Sequence, residues 1–143
     1  MSQISALTGL ATKTYNAADT VVMVDGHQIY NYGEDTMYTA DYDNDTVTVK
    51  QDPQGNGVAS KSAKHGGTIT LNIIETAPVA KLLHEKAETG NFPVDIVTSS
   101  IHISATHCWI PKKPTSTGAA EASNQAWQIK ALYMDETPLV DEL

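Results

Sequence analysis

The sequence contains no arginine: its nine basic residues are all lysines, and 17 acidic residues bring the formal net charge to −8. Proteins that bind nucleic acid by neutralising phosphates need clustered lysine and arginine. Arginine is also the side chain that contacts phosphate, carboxylate or guanine through two parallel hydrogen bonds. The composition therefore argues against a nucleic-acid-binding protein, and solubility is the simplest explanation of the acidic excess.

Cysteine, phenylalanine and long apolar runs are also scarce. Cys108 is the one cysteine, which excludes an internal disulfide framework. The first fifteen residues show neither the charged region nor the apolar core of a signal peptide, so none is expected. No stretch approaches the roughly 18 apolar residues of a membrane-spanning helix. With one Phe and two Trp, a core must rely on Val, Ile, Leu and Tyr, and the length of 143 residues predicts one domain.

Alternating apolar and polar residues predict that most of the chain forms β-strands. Asp25-Gly26 between two strand-like runs is typical of a hairpin with a type I′ turn. Residues 46–50 alternate at period two, which predicts a strand with one buried face. The proline and glycines of 52–57 predict a loop that leads to a return strand over 58–64. Further strands are predicted at 34–42, 67–74, 92–98, 101–110 and 124–134.

A single helix is predicted at 77–88. Thr76 is expected to cap its N-terminus, Pro78 fits the first turn, and Gly90 is placed to end it in a left-handed conformation. Its apolar stripe at helical spacing consists of Val79, Leu82 and Leu83. His84 falls on the polar side and is expected to be solvated. Residues 1–18 are interpreted as an N-terminal arm or first edge strand, and 112–123 as a loop.

Two groups of residues resemble metal or catalytic sites. Asp41, Asp43 and Asp45 copy the first half of a calcium loop, but Thr46 and Asp52 stand where glycine and glutamate are needed. An acidic solvated turn is the better interpretation.

His102, His107 and Cys108 suggest zinc by their proximity, but no fourth ligand follows at the usual spacing. Strand periodicity would place His102 and Cys108 on one face and His107 on the other, so a Cys108–His107 catalytic pair is also disfavoured. Cys108 is expected to be a small buried hydrophobe. We predict no metal, no cofactor and no enzymatic activity.

The order of these features resembles a known family. The early turn Val24-Asp25-Gly26 precedes an acidic turn and a strand, and a glycine-rich turn precedes GTITLNII. The helix ETAPVAKLLHEK, the strand end CWIPKKP and the tryptophan-containing strand NQAWQIKALYM follow. In this order and length, residues 21–134 resemble the tail tube proteins of contractile-tailed bacteriophages, a group that shares its fold with the ring-forming tube protein of type VI secretion.

The resemblance implies a mainly β fold, a β-sandwich or barrel with one flanking helix (α+β). It implies that six copies close into a ring with a continuous inner β-barrel, and that rings stack into the tail tube of a virion, assembled in the bacterial cytoplasm. Implied partners are further copies of the chain, the sheath, baseplate and tail terminator proteins, and the tape measure protein in the lumen. DNA would pass through without specific binding, which offers a second interpretation of the acidic excess, and no membrane is involved.

The long loops are the natural contacts between stacked rings. The predicted inter-ring residues are Asp52, Pro53, Gln54, Gly55, Lys112, Lys113, Pro114 and Thr115. Two alternatives to the phage tail tube stay open. One is a ring protein of a type VI-like secretion system, which the residues do not separate from a tail tube. The other is a small β-barrel module that binds a carbohydrate or peptide, for which the tyrosines at 30, 32, 38 and 42 are the one aromatic cluster.

Overall fold

The structure is a computed structural model that describes residues 16–33, 36–118 and 120–139. Within these described ranges, ten strands and one α-helix follow a short 3-10 helix, Ala17–Asp19. The strands are β1 (Val21–Val24), β2 (His27–Gln28), β3 (Tyr38–Tyr42), β4 (Val47–Gln51), β5 (Gly57–Lys61), β6 (Gly67–Ile74), β7 (Phe92–Val97), β8 (Ile101–Trp109), β9 (Asn124–Ala131) and β10 (Asp135–Pro138), and the helix α1 spans Val79–Thr89. Residues 1–15 of the predicted N-terminal segment 1–18 lie outside the described residues. Its last residues belong to the 3-10 helix and its N-cap, Asn16.

Eight strands form one antiparallel sheet in the order β2-β1-β7-β8-β9-β6-β3, with β10 paired to β8. The other two strands, β4 and β5, pair only with each other among the described residues. Over the described residues the sheet has free edges and does not close into a barrel. The predicted mainly β fold with one helix is confirmed, whereas the described part of the chain does not form a barrel by itself.

The large sheet curves around one hydrophobic core. Buried and less buried residues alternate along β1, β6 and β9, as period-two strands with one apolar face require. Strands from both ends of the sheet contribute to the same buried cluster, so their inner faces must face each other. The cluster includes Val22, Val94 and Ile96 from one half and Ile69, Leu71, Trp127 and Ile129 from the other.

The β1–β2 hairpin has the predicted turn. Asp25 and Gly26 have φ angles of 50° and 79°, the two positive values that a type I′ turn needs. The Asp25 carboxylate accepts a hydrogen bond from the Nζ atom of Lys86, which ties this turn to the last part of the helix. That hydrogen bond holds the pKa of Asp25 below its ordinary value.

Helix α1 begins and ends close to the predicted bounds, but its start differs. Thr76 is not its N-cap: Pro78 occupies that position and makes no capping hydrogen bond through its side chain. Gly90 ends the helix, as predicted, but its φ of 81° and ψ of −146° differ from the expected left-handed cap; its N–H donates to Lys86 O. Ala80 and Leu83 are buried against the core. His84 is exposed as predicted, and its ring also meets the buried Trp127 ring edge-on at a centroid distance of 4.8 Å.

The predicted faces of strand β8 are wrong because the strand contains a bulge. Its register with β7 shifts between Phe92↔Cys108 and Val94↔Ala105, so one extra residue is inserted. An extra residue reverses the side-chain parity beyond it. Cys108 therefore points into the core with Ala105, while His102 lies on the opposite face. The buried state expected for Cys108 is confirmed.

Strand β10 was not predicted from the sequence. Residues 124–134 were expected to form one strand, but β9 ends at Ala131, and Asp135–Pro138 forms a separate strand. β9 pairs with β6 along eight residues and with β8 at only two, Cys108↔Ala131 and Trp109↔Lys130. β10 then pairs with the first half of β8. The two halves of the sheet therefore meet along one side of β8, whose first half pairs with β10 and whose last two residues pair with β9.

Candidate assembly surfaces

The hairpin of β4 and β5, residues 47–61, projects from the body of the protein, and we call it the arm. Every residue of both strands is exposed, including Val47 (45%), Val49 (64%) and Val58 (60%). The prediction that residues 46–50 bury one face is therefore wrong for the single chain. An isolated two-stranded hairpin is marginally stable in water, so the arm carries apolar surface that a partner would stabilise.

The two faces of the arm differ in composition. Val47 lies opposite Lys61 and Val49 opposite Ala59, which places two valines, an alanine and a lysine on one face. The other face carries Thr48, Lys50, Val58 and Ser60. We call the first set the valine face.

The turn at the arm tip contains the first four predicted contact residues, Asp52, Pro53, Gln54 and Gly55. Asp52 Oδ1 accepts hydrogen bonds from the backbone N–H groups of Gln54 and Asn56, both at 2.9 Å. Gly55 has φ of 90°, a value that favours glycine. All four residues are exposed. The tip is therefore an ordered turn at the farthest point of the arm, held by the Asp52 side chain and by two backbone hydrogen bonds, Asp52 N to Asn56 O and Gly55 N to Asp52 O.

The base of the arm borders a cavity of about 520 Å³. Its lining includes Asp45 and Thr46 from the start of the arm, and His65 and Tyr133 from the body. The rings of His65 and Tyr133 lie 5.1 Å apart. Tyr42 also lines this cavity; burial raises the pKa of its hydroxyl, and the carboxylates of Glu136 and Asp135 raise it further. The arm thus emerges next to the turn and strand that follow β9.

The other four predicted contact residues, Lys112, Lys113, Pro114 and Thr115, line a different cavity of about 360 Å³. It lies beside the first half of β9, whose Asn124, Ala126 and Gln128 form the opposite wall. β8 pairs with β9 up to Trp109 and ends there. Because Pro111 has no N–H to donate to a β-ladder, the chain after β8 separates from β9 and continues as the 112–123 loop. Lys113 Nζ lies 3.3 Å from Glu88 Oε1 of the helix. The structure therefore places the two predicted groups in two separate locations.

A third exposed region, which the sequence prediction missed, follows β9, and we call residues 132–139 the acidic segment. Leu132 (66%), Tyr133 (54%) and Leu139 (39%) are large and exposed. Asp135 and Glu136 lie between them on β10 and are exposed as well. Among the described strands β10 pairs only with β8, and the backbone N–H of Glu136 donates to the Tyr42 hydroxyl. Exposed apolar residues so close in sequence were the one signal that could have indicated this surface.

The residues considered for metal binding or catalysis are dispersed. His102 Nε2 lies 3.4 Å from Asp95 Oδ1, and His107 Nδ1 lies 3.1 Å from Asn91 Oδ1. Cys108, the residue after His107, points into the core. The described residues contain no group of three or more His, Cys, Asp or Glu side chains that could hold a metal ion. No helix among them is long and apolar enough to span a membrane.

The acidic turn is part of a polar network. Asp43 accepts hydrogen bonds from Lys130 Nζ and Thr68 Oγ1, and these bonds hold the pKa of its carboxyl below the ordinary value. The outward side chains of β6 near this network are the uncharged Thr68, Thr70 and Asn72, and Ile74 follows them at the end of the strand. The outer face of this part of the sheet is therefore polar, with Lys130 paired to Asp43.

The fold is similar to that of solved components of contractile injection systems. The chain matches a structure titled as the anti-feeding prophage cap, a tube-terminating cap, with a TM-score of 0.62 and 12% identity over 89% of this chain and 93% of that chain. It matches the sheath/tube terminator of an extracellular contractile injection system, PVC, with a TM-score of 0.61 and 12% identity over 87% and 97% of the two chains.

A chain of the PVC sheath–tube complex in its extended state matches with a TM-score of 0.62 and 11% identity over 97% of this chain and 99% of that chain. No protein-family model and no curated protein matches the sequence. At these identities the matches show a shared fold.

Proposed function

We propose that this chain is a structural subunit of the tail tube of a contractile-tailed bacteriophage. In this proposal six copies form a ring, the rings stack into a tube that conducts DNA, and the sheath, baseplate and terminator bind the tube. The observation that carries the proposal is the likeness in fold, over nearly the whole of both chains, to a chain of a sheath–tube complex. The exposed arm and the free sheet edges support it, because both are surfaces that neighbouring copies could cover.

A tube terminator is the second candidate. Two of the similar structures are titled as a tube-terminating cap and as a sheath/tube terminator. A terminator would share the ring-forming fold and occupy only the end of the tube. A tube subunit would repeat along its whole length.

Negative-stain electron microscopy of the purified chain at high concentration, with and without an added baseplate, tests the proposal. A tube subunit gives hollow stacked tubes, and a peptide tag on the chain is labelled along their length. A terminator gives single rings or label confined to one end. Small featureless particles under both conditions would contradict both assignments and would direct attention to a ligand-binding module.

A further inference from the structure

The arm carries exposed apolar surface that its own chain does not cover. Val47, Val49 and Val58 are all exposed in the single chain, although the arm base lies close to Tyr133 and Asp135. The arm therefore does not lie across the acidic segment of the same copy. Its valine face needs an apolar surface to dock on, and its residues 47–61 contain two lysines and one acidic residue in a chain with a net charge of −8.

The acidic segment has the complementary properties. Of the nine large exposed hydrophobic residues in the described part of the chain, three lie in the arm and three in residues 132–139. The segment combines these with the exposed carboxylates of Asp135 and Glu136. If the two surfaces bind each other, the arm valines can pack against the exposed leucines and tyrosine of the acidic segment, and an arm lysine can pair with one of its carboxylates.

We propose that the arm of one copy docks through its valine face on the acidic segment of a neighbouring copy, with Lys61 facing Glu136. The two surfaces are different patches of one chain, so the contact is head-to-tail and can repeat from copy to copy. This inference rests on the proposed function, because it names the partner surface of the arm within the assembled tube.

The test uses charge reversal and mixing. Lys61→Glu places a negative charge against the acidic segment, and Glu136→Lys places a positive charge against the arm, so each variant alone repels its own copies. We expect each to raise the critical concentration for tube formation by about tenfold or more. In an equimolar mixture the unaltered arm of the Glu136→Lys chain meets the unaltered segment of the Lys61→Glu chain, and the two reversed surfaces also match. Tubes should then form near the wild-type concentration.

Lys81→Glu and Glu85→Lys are the matched controls, since they make the same charge changes on exposed positions of the helix. Neither control should shift the critical concentration by more than about twofold. If wild-type tubes form but the mixture fails to recover assembly, or the controls are equally defective, the docking proposal is wrong while the proposed function stands. If the wild type forms no tubes even on a baseplate, the proposed function itself fails. Circular dichroism of each variant confirms that it is folded.

Discussion

Lys130 and Asp43 are 87 positions apart in sequence, and the Lys130 Nζ atom donates a hydrogen bond of 3.0 Å to Asp43 Oδ2. Lys130 Nζ also donates to Thr68 Oγ1 at 2.9 Å, and that hydroxyl donates to Asp43 Oδ1 at 2.9 Å. The three side chains link β9, β6 and the turn after β3 on the outer face of the sheet. The network therefore anchors the segment that leads into the arm.

The network should make a pH-dependent contribution to stability. The hydrogen bonds from Lys130 and Thr68 depress the folded-state pKa of Asp43, so the contribution is fully present above the unfolded pKa of about 3.9. It is lost as the pH falls from there through the folded-state pKa. Both side chains are more than one third exposed, so solvent screening limits Asp43→Asn to a loss of about 1 kcal/mol at most at pH 7.

Urea unfolding of the wild type and Asp43→Asn at pH 7 and near pH 2.5 measures this contribution. The difference between the two proteins should shrink at the lower pH. Lys130→Met removes the partner and should show the same trend. A difference that is constant with pH would contradict the assignment of the network to the charged form of Asp43.

The sequence predicted those parts of the fold that depend on local chemistry. The Asp25-Gly26 turn, the alternating strand β6 and the helix ended by Gly90 are each encoded within a few residues. Strand β10 was missed because Asp-Glu-Thr-Pro has no apolar alternation, and it becomes a strand only by pairing with the distant β8. The sequence also predicted wrongly that Cys108 and His102 share a face of β8. The bulge that separates them depends on the register with β7, which local sequence does not encode.

The candidate site was predicted in part for a similar reason. The loop chemistry of 52–57 indicated an exposed turn, and the structure has one at the arm tip. The exposure of Val47 and Val49 could not be derived, because their period-two pattern is the same as that of a half-buried strand. In our proposal the surface that covers them belongs to another copy, so one chain carries no local signal of it.

Gly67 should not tolerate a larger side chain. A Cβ atom at this position would lie 2.5 Å from Met134 Cε and 2.8 Å from the carbonyl oxygen of Asp41. The methionine side chain can move, but the carbonyl belongs to the backbone of β3, which pairs with β6. We therefore expect Gly67→Ala to reduce the free energy of unfolding by about 1–3 kcal/mol. Gly118→Ala is the control, since nothing lies within 4 Å of its Cβ position; equal stability of the two variants would contradict the steric argument.

Cys108 should be unreactive in the folded protein. Its side chain is fully buried, and burial, with a smaller contribution from Asp95, raises the pKa of the thiol from 9.0 to about 11. We expect an aromatic disulfide reagent to modify it about 100-fold more slowly than a cysteine at the exposed position 106 in Thr106→Cys/Cys108→Ala.

The same shift predicts a stability change in alkali. A raised folded-state pKa stabilises the protein fully below the unfolded pKa, and this advantage is lost as the pH rises toward 11. The free energy of unfolding of the wild type should therefore fall relative to Cys108→Ala between about pH 8.5 and 11. Parallel pH profiles of the two proteins would be evidence against a buried neutral thiol.

The loop that lines the cavity beside β9 should contribute to ring stacking. Residues 112–118 form no helix or strand, and Thr115 is one of the predicted contacts. Deletion of residues 115–120 should leave the melting temperature of the subunit nearly unchanged, because none of the described residues in this segment belongs to the core cluster, and should block tube formation. A glycine–serine replacement of the same length separates the effect of sequence from that of length. Normal tubes from the deletion variant would exclude this loop as a stacking contact.

Asp52 should control assembly through the shape of the arm tip. Its Oδ1 atom accepts hydrogen bonds from two backbone N–H groups, those of Gln54 and Asn56. Asp52→Ala removes the acceptor and should loosen the turn, at a cost of about 0.5–1.5 kcal/mol to the hairpin. The body should unfold at the wild-type urea concentration, because the arm packs none of the core. Tube formation should require a higher protein concentration.

Asp52→Asn is the matched variant, because its amide oxygen can accept the same two hydrogen bonds without the charge. If the turn geometry is what neighbouring copies contact, Asp52→Asn assembles like the wild type and Asp52→Ala does not. If both variants are equally impaired, the negative charge is the contact, and the hydrogen-bonded turn only presents it. Wild-type assembly by Asp52→Ala would remove the arm tip from the set of stacking residues and leave the valine face as the part of the arm that neighbouring copies bind.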